Sequence, residues 1–315
     1  MFLVKMLSYL ITHTDIDGVA AAALYTYLTR SSYNIIFAEP HDLHKVLYKV
    51  YRKRPKLVAI FDLGLNANHV DFVAGVVELL SSKNSNVIWF DHHVWNDEWI
   101  NRIVESGAKL FVDRSTCATG VVAKYVSGEE SVDKEFIDEL VAGVCGADLW
   151  RFDHSLSPFF MRLVRRGDSN DWRLYVYNVI SKGVLWCDDF EKKVVERIEE
   201  EIKELSKDMR IRVFETNGVR VGIALKNQRV ENSILASRVM SISNADIVAI
   251  VDRSGKISLR SRGFDVRSIA VALGGGGHRA AAGAKIDIPL HVKLLSIFNE
   301  NAILEYVENI IKSHI

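Results

Sequence analysis

Residues 87 to 95 read "VIWFDHHVW", an apolar run that ends abruptly in a carboxylate and two imidazoles, Asp91, His92 and His93. Three other stretches break their pattern in the same way. "ITHTDIDG" sets His13, Asp15 and Asp17 at alternate positions, so in an extended chain their side chains share one face. "VAIFDLG" closes an apolar run with Asp62 and Gly64, and "VAGVCGADLWRF" puts Asp148 after small and apolar residues. Each alone has a plain explanation, because an Asp after a strand is often a helix N-cap and a His beside it a satisfied, half-buried ring. Gathered in one place, the carboxylates would repel unless a cation neutralised them. Carboxylates mixed with imidazoles suit Mn²⁺ or a similar divalent ion better than Ca²⁺.

Something must bring these residues together. The first half alternates apolar runs (7–11, 33–40, 56–64, 86–93) with segments of helical spacing (18–30, 42–54, 67–82). That alternation predicts a parallel sheet covered on both faces, and open sheets of this kind bind ligands outside the carboxyl ends of their strands. Helical spacing dominates 115–126 and 134–152, and 188–209 reads as a charged, solvated helix. Beyond it the texture turns β-rich, with a hairpin signal at Asn217-Gly218 and a second turn at Ser254-Gly255. The expected fold class is α/β: a parallel-sheet domain over 1–190, a helical connector over 191–210 and a smaller mixed-sheet α/β domain over 211–315.

The C-terminal domain has its own anion-binding candidates. In the run Gly274 to His278, glycines let backbone N–H groups approach an anion, and His278 and Arg279 add charge. The following "RAAAGA" is too small-residue-rich and compact for a flexible tether. Arg260 and Arg262, two apart, share a face if that segment is a strand, although a solvated strand face explains them equally well. Ser115 or Thr116 could meet a phosphate at a helix start or serve as ordinary caps. The basic, aromatic stretch 45–56, "KVLYKVYRKRPK", could track a phosphate backbone, but its spacing favours a solvated helix face.

Composition sets the bounds. Lys+Arg and Asp+Glu both number 40, so net charge exerts no pull toward nucleic acid or membrane. Residues 211–315 carry 14 basic against 9 acidic side chains, leaving 26 against 31 in the first 210. The three cysteines, Cys117, Cys145 and Cys187, are odd in number and widely spaced, which reads as reduced thiols of an intracellular protein. The apolar start lacks a basic flank and a cleavage site, so it reads as a first core strand, and no apolar run reaches the ~20 residues of a membrane helix. The expected location is the cytoplasm.

The set "HTDIDG", "FDLG", "FDHH" and "GAD", followed by "GGGGHRAAAG", resembles the DHH phosphoesterase superfamily in the subgroup with a C-terminal DHHA1 domain, which includes RecJ-like exonucleases, nanoRNases and pAp phosphatases. The resemblance spans nearly the whole chain. It implies a DHH catalytic domain, a DHHA1 substrate-binding domain and two divalent ions, Mn²⁺ first, with Mg²⁺ or Co²⁺ as alternatives. Asp15 would ligate one ion and Asp17 the other. Asp62 would bridge them, and His92 and Asp148 would complete the ligand set of the second ion. His93 would face the substrate phosphate. His13 stays open between a ligand and a residue behind the ligands, since several relatives place that histidine four residues before the first aspartate. Ser115, Arg260, Arg262, Gly275, Gly276, Gly277, His278 and Arg279 would bind substrate.

The activity so implied is hydrolysis of short oligoribonucleotides or dinucleotides to 5′-mononucleotides, with a short RNA or DNA oligonucleotide or a nucleotide as the substrate partner. The alternatives are a RecJ-like exonuclease on longer single strands, a pAp or cyclic-dinucleotide phosphohydrolase, and a metal-free replication scaffold. The expected partner is the nucleotide substrate, with no membrane, and a homodimer is compatible with the sequence.

Overall fold

Five parallel strands organise the N-terminal half: β1 (Ser8–Thr12), β2 (Asn34–Phe37), β3 (Leu57–Phe61), β4 (Asn86–Asp91) and β5 (Ala108–Val112), in the order β2-β1-β3-β4-β5. The structure, a computed structural model, describes residues 7–129 and 131–315. Helices α1 (Ile16–Thr29), α2 (Leu43–Tyr51), α3 (Val70–Ser81) and α4 (Asp97–Glu105) link successive strands. They are followed by α5 (Ala118–Tyr125), α6 (Lys134–Asp148), α7 (Ser157–Leu163), α8 (Asn170–Ile180) and α9 (Asp188–Leu205). Within α9 the chain divides into two units, Met1–Val194 and Val195–Ile315.

The period of two along each strand sorts the sheet into two apolar faces. Ile11, Val58, Ile60, Val87 and Trp89 enter a core shared with α2, α3 and α4. On the other face Tyr25 of α1 meets Phe61 and Phe90 at ring-centroid distances of 5.3 and 5.8 Å. Ala20 to Ala23 are all buried, because α1 lies between the sheet and the helices α5, α6 and α8 and has room only for small side chains. Fully burying one large apolar side chain stabilises by about 1.5–3 kcal/mol, so both faces must be filled for the sheet to stand. The strand order reverses between β1 and β3, and the carboxyl ends of those two strands are where such sheets open a crevice.

The C-terminal unit holds β6 (Ile211–Thr216), β7 (Val219–Leu225), β8 (Ile247–Val251), β9 (Lys256–Ser261), β10 (Gly276–Gly277) and β11 (Ala281–Lys285). Their order is β10-β11-β9-β8-β7-β6, with β7 and β8 parallel and the other pairs antiparallel, so the sheet is mixed. Helix α10 (Asn232–Ser243) covers one face through Leu235, Val239 and Met240 against Val248 and Ile250. Helices α11 (Val266–Ala272), α12 (Leu290–Phe298) and α13 (Asn301–Lys312) follow, and Val266, Val292 and Ile303 share the core of the other face. Asn217 and Gly218 both take positive φ, 50° and 75°, as a tight hairpin turn between β6 and β7 requires.

Several features depart from the sequence reading. Strand β5 and helices α4, α7, α8, α12 and α13 have no counterpart in it. The cysteines are not all reduced thiols: Cys117 and Cys145 form a disulfide, and Cys187 is free. The two lie 28 positions apart in sequence, and the packing of α6 against α5 brings them together. Residues 1–6, the start of the expected first core strand, lie outside the described residues. Among the described residues no helix is long and apolar enough to cross a membrane.

Candidate metal centre

Every strand that leads into the crevice ends in a carboxylate or an imidazole. His13 and Asp15 follow β1, Asp62 follows β3, and Asp91, His92 and His93 close β4. Asp17 stands in the first turn of α1, and Asp148 is the last residue of α6. His13 Nδ1 lies 2.7 Å from Asp15 Oδ2 and 3.2 Å from Asp62 Oδ2. His92 Nε2 lies 3.3 Å from Asp62 Oδ1, 3.5 Å from Asp148 Oδ2 and 3.8 Å from Asp17 Oδ2. One carboxylate thus presents each of its oxygens to a different group of donors. Donor atoms of His13, Asp15 and Asp62 lie within 4.8 Å of one another, as do those of Asp17, His92 and Asp148. A third such set, Asp62, His92 and His93, overlaps both.

Charge is packed here beyond what side chains alone neutralise. Asp17 is fully buried, and that burial, together with the Asp62 charge, pushes its carboxyl up to about 7. Asp148 is raised well above the usual range by burial and by Asp17. Burial works against the charged form of His92, yet the Asp62, Asp17 and Asp148 carboxylates raise it to about 11. Asp62 Oδ1 is buried without a hydrogen bond although it faces His92. A buried carboxylate oxygen left unpaired is costly, and a divalent ion is the partner that this mixture of carboxylates and imidazoles fits.

Neighbouring residues hold the donors in place. Asp17 accepts from the backbone N–H groups of Ala118 (2.7 Å) and Thr119 (2.8 Å) and from the Thr119 hydroxyl (2.7 Å). It thereby caps α5 from outside, where Cys117 makes no side-chain cap. The Cys117–Cys145 bridge joins that helix start to α6, three residues before Asp148. Asp91, fully buried, takes the indole N–H of Trp95 (2.6 Å) and binds His93 Nδ1 (2.8 Å). Burial opposes the charged His93 ring, but Asp91 raises it to about 9. Glu39, not singled out in the sequence, lies 3.5 Å from His13 Nε2 and accepts from the Thr14 hydroxyl. It holds the far side of the His13 ring while Nδ1 faces Asp15 and Asp62. Arg173, buried, ties the same loop down by donating its Nε–H to the Thr14 carbonyl (2.7 Å).

The backbone is as specific as the side chains. Asp62 adopts φ +55°, a left-handed conformation that Asp visits more readily than most residues. A Cβ on Gly18 would sit 2.8 Å from the backbone N, backbone O and Cβ of His13. Gly18→Ala should therefore move His13, destabilise the protein by about 1–3 kcal/mol and weaken divalent-ion binding, as read by thermal melts with and without Mn²⁺.

The other candidate residues fall elsewhere. Ser115 donates its hydroxyl and its N–H to Asp113 (2.6 and 2.9 Å), so it closes a local turn, and the backbone of Ala118 and Thr119 is what meets a carboxylate at this helix start. In the C-terminal unit Arg260 lies on β9, Arg262 follows it, and His278 and Arg279 stand exposed at the β10–β11 hairpin. Gly275 and Gly277 have a packing reason: an added Cβ would fall 2.1 Å from the Gly283 carbonyl oxygen and 2.6 Å from Ala282 Cα. Gly276 has open space where its Cβ would be.

Residues 8–144 match the DHH family, N-terminal domain, and residues 217–312 match the DHHA1 domain. Over 350 aligned residues the chain is 21% identical to a 3′,5′-cyclic-nucleotide phosphodiesterase of Helicobacter pylori, covering 96% of this chain and 98% of that protein. Two solved structures share the fold at 15% identity and a TM-score of 0.55. They are an exopolyphosphatase-related protein from Bacteroides fragilis (97% of this chain, 94% of that) and a pGpG-specific phosphodiesterase from Vibrio cholerae (98% and 99%).

Proposed function

We propose that this chain, which belongs to the DHH phosphoesterase superfamily through its DHH and DHHA1 domains, is a metal-dependent phosphodiesterase that cleaves very short oligonucleotides or dinucleotides to 5′-mononucleotides. The observation that carries the reading is the Asp62 carboxylate, which turns Oδ2 to His13 and Oδ1 to His92. His13, Asp15 and Asp62 would hold one divalent ion, and Asp62, Asp17, His92 and Asp148 the other, with Mn²⁺ favoured by the imidazoles. Two such ions supply charge neutralisation for the attacking and leaving oxygens and lower the pKa of water.

The chain's own groups do the rest. Asp62 sets the spacing between the two donor sets. His93, held by Asp91 at Nδ1, keeps its proton at neutral pH and donates from Nε2 to a phosphoryl oxygen or to the leaving group. Arg260, Arg262, His278 and Arg279 are the C-terminal candidates for phosphate contact. A net charge of +0 favours a short substrate over a long backbone. The gathering of His13, Asp15, Asp17, Asp62, His92 and Asp148 into groups that could hold an ion argues against a metal-free scaffold.

A second reading, hydrolysis of 3′,5′-cyclic nucleotides, is favoured by the nearly full-length match to the H. pylori enzyme. Single-turnover assays with Mn²⁺ on pApA, a 5-mer RNA, a ~25-mer, pAp and 3′,5′-cyclic AMP separate the readings. Faster cleavage of pApA and the 5-mer supports the proposal. Processive loss of the ~25-mer, or turnover of pAp or cyclic AMP alone, replaces it with the corresponding alternative.

A further inference from the structure

The two loops that bring Glu39 and Asp62 to the metal centre run on into helices whose outer seam the reaction leaves unused. Glu39 leads through His41 into α2, and Asp62 leads through a single 3-10 turn, Ala67–His69, into α3. Where the two helices begin, the rings of His44 and His69 stack, with centroids 3.8 Å apart and 21° between their planes. Phe72 stands edge-on to His44 at 6.0 Å, and Tyr48 lies 6.2 Å beyond Phe72. Phe72 is 49% exposed and Tyr48 44% exposed, so these rings do not serve the core.

Cations flank the rings. Lys45, which also pairs with Asp42 at the start of α2 (3.2 Å), and Lys49 are exposed beside Tyr48, and from Leu43 to Phe61 the chain has six Lys or Arg and no Asp or Glu. On α3, Asp71 is engaged by Arg102 of α4. A solvated helix face has no need of rings set in line, and an acidic peptide would need the cations but not the rings. Aromatic faces interleaved with positive charge match single-stranded nucleic acid, whose bases stack while its phosphates pair with the cations.

We infer that the α2–α3 seam is a docking track for the tail of a single-stranded oligonucleotide whose end lies at the metal centre. Helix α2, nine residues long, extends about 13 Å, which spans about four nucleotides at a stacked rise of ~3.4 Å. The inference extends the phosphodiesterase reading, on which it rests, from the cleaved bond to the rest of the strand, and a 5-mer should then bind better than a dinucleotide.

The test uses the full chain in EDTA, where hydrolysis is off, with a fluorescein-labelled 5-mer RNA titrated by anisotropy. Two double variants, Tyr48→Ala/Phe72→Ala and Lys45→Ala/Lys49→Ala, are compared with the wild type, and thermal melts confirm their folding. The expected result is at least a tenfold loss of 5-mer affinity in each, with Mn²⁺-dependent turnover of pApA unchanged within twofold. The lysine variant should also lower the slope of log affinity against log salt by about 1.4. Unchanged 5-mer binding overturns the inference, and so does an equal loss for pApA. Displacement of the 5-mer by poly-glutamate more readily than by unlabelled RNA overturns it in favour of an acidic protein partner. Should the wild type hydrolyse no nucleotide, the phosphodiesterase reading fails, while the anisotropy in EDTA still decides the seam.

Discussion

Asp62→Asn should abolish Mn²⁺-dependent hydrolysis, lowering kcat/KM by at least about 10³-fold, or ~4 kcal/mol of transition-state stabilisation, while the protein remains folded. The loss is large because one side chain serves both donor groups: Oδ2 lies 3.2 Å from His13 Nδ1 and Oδ1 lies 3.3 Å from His92 Nε2. An amide keeps the shape but loses the charge, so neither donor group would keep a carboxylate able to hold an ion. The fold should survive because Asn tolerates the left-handed backbone that residue 62 adopts, φ +55°. Circular dichroism of the variant should match the wild type. Retention of activity within tenfold of the wild type would show that Asp62 does not bridge two ions.

Divalent ions should raise the melting temperature, and by more as pH rises. In the metal-free protein, burial pushes Asp17 up to about 7, while burial of the His92 ring is outweighed by the Asp62, Asp17 and Asp148 carboxylates, which raise it to about 11. An acid whose folded pKa is raised above its unfolded value of ~3.8 favours the fold most below that value, and loses this contribution as pH climbs to 7. A histidine raised above ~6.5 likewise contributes fully below 6.5, and loses the contribution as pH climbs toward 11. Without metal, this cluster therefore makes the protein less stable from about pH 4 upward. An ion displaces the protons from His92 and Asp17, so its affinity strengthens over the same range. At 100 times its Kd, one ion adds about 2.7 kcal/mol, which is ~5–10 °C for a unit of this size. Differential scanning fluorimetry at pH 5.5, 7.0 and 8.5, with Mn²⁺ and with EDTA, reads both trends. A metal-induced increment that shrinks with pH would contradict the assignment of Asp17 and His92 as ligands.

The parallel sheet was legible because β1, β3 and β4 are apolar runs ended by groups that an apolar environment rejects. Such an interruption stands out in one dimension. Strand β5 did not, since only Ala108 is buried in a short run of mostly half-buried residues, and Lys109 interrupts its apolar character. Residues whose roles depend on distant approach were equally hidden. Glu39 meets His13 only because β2 pairs beside β1, and Arg173 meets Thr14 from α8, 159 residues away. The Cys117–Cys145 pair belongs to the same class, as two small apolar-looking positions whose meaning lies in how two helices pack. Ser115 shows the opposite failure. Its type and location invited a phosphate-binding role, but the side chain closes a turn on Asp113 two residues earlier.

Every candidate ion-binding group found among the described residues lies between His13 and Asp148, inside the first unit. The second unit has its own sheet and its own core, and it adds no member to those groups. Inheritance can therefore act on the two halves separately. Substitution or recombination in the C-terminal half leaves the ion-binding groups undisturbed, whereas drift in the first half is held back by seven interlocked side chains. A lineage built this way should drift in its second unit sooner than in its first.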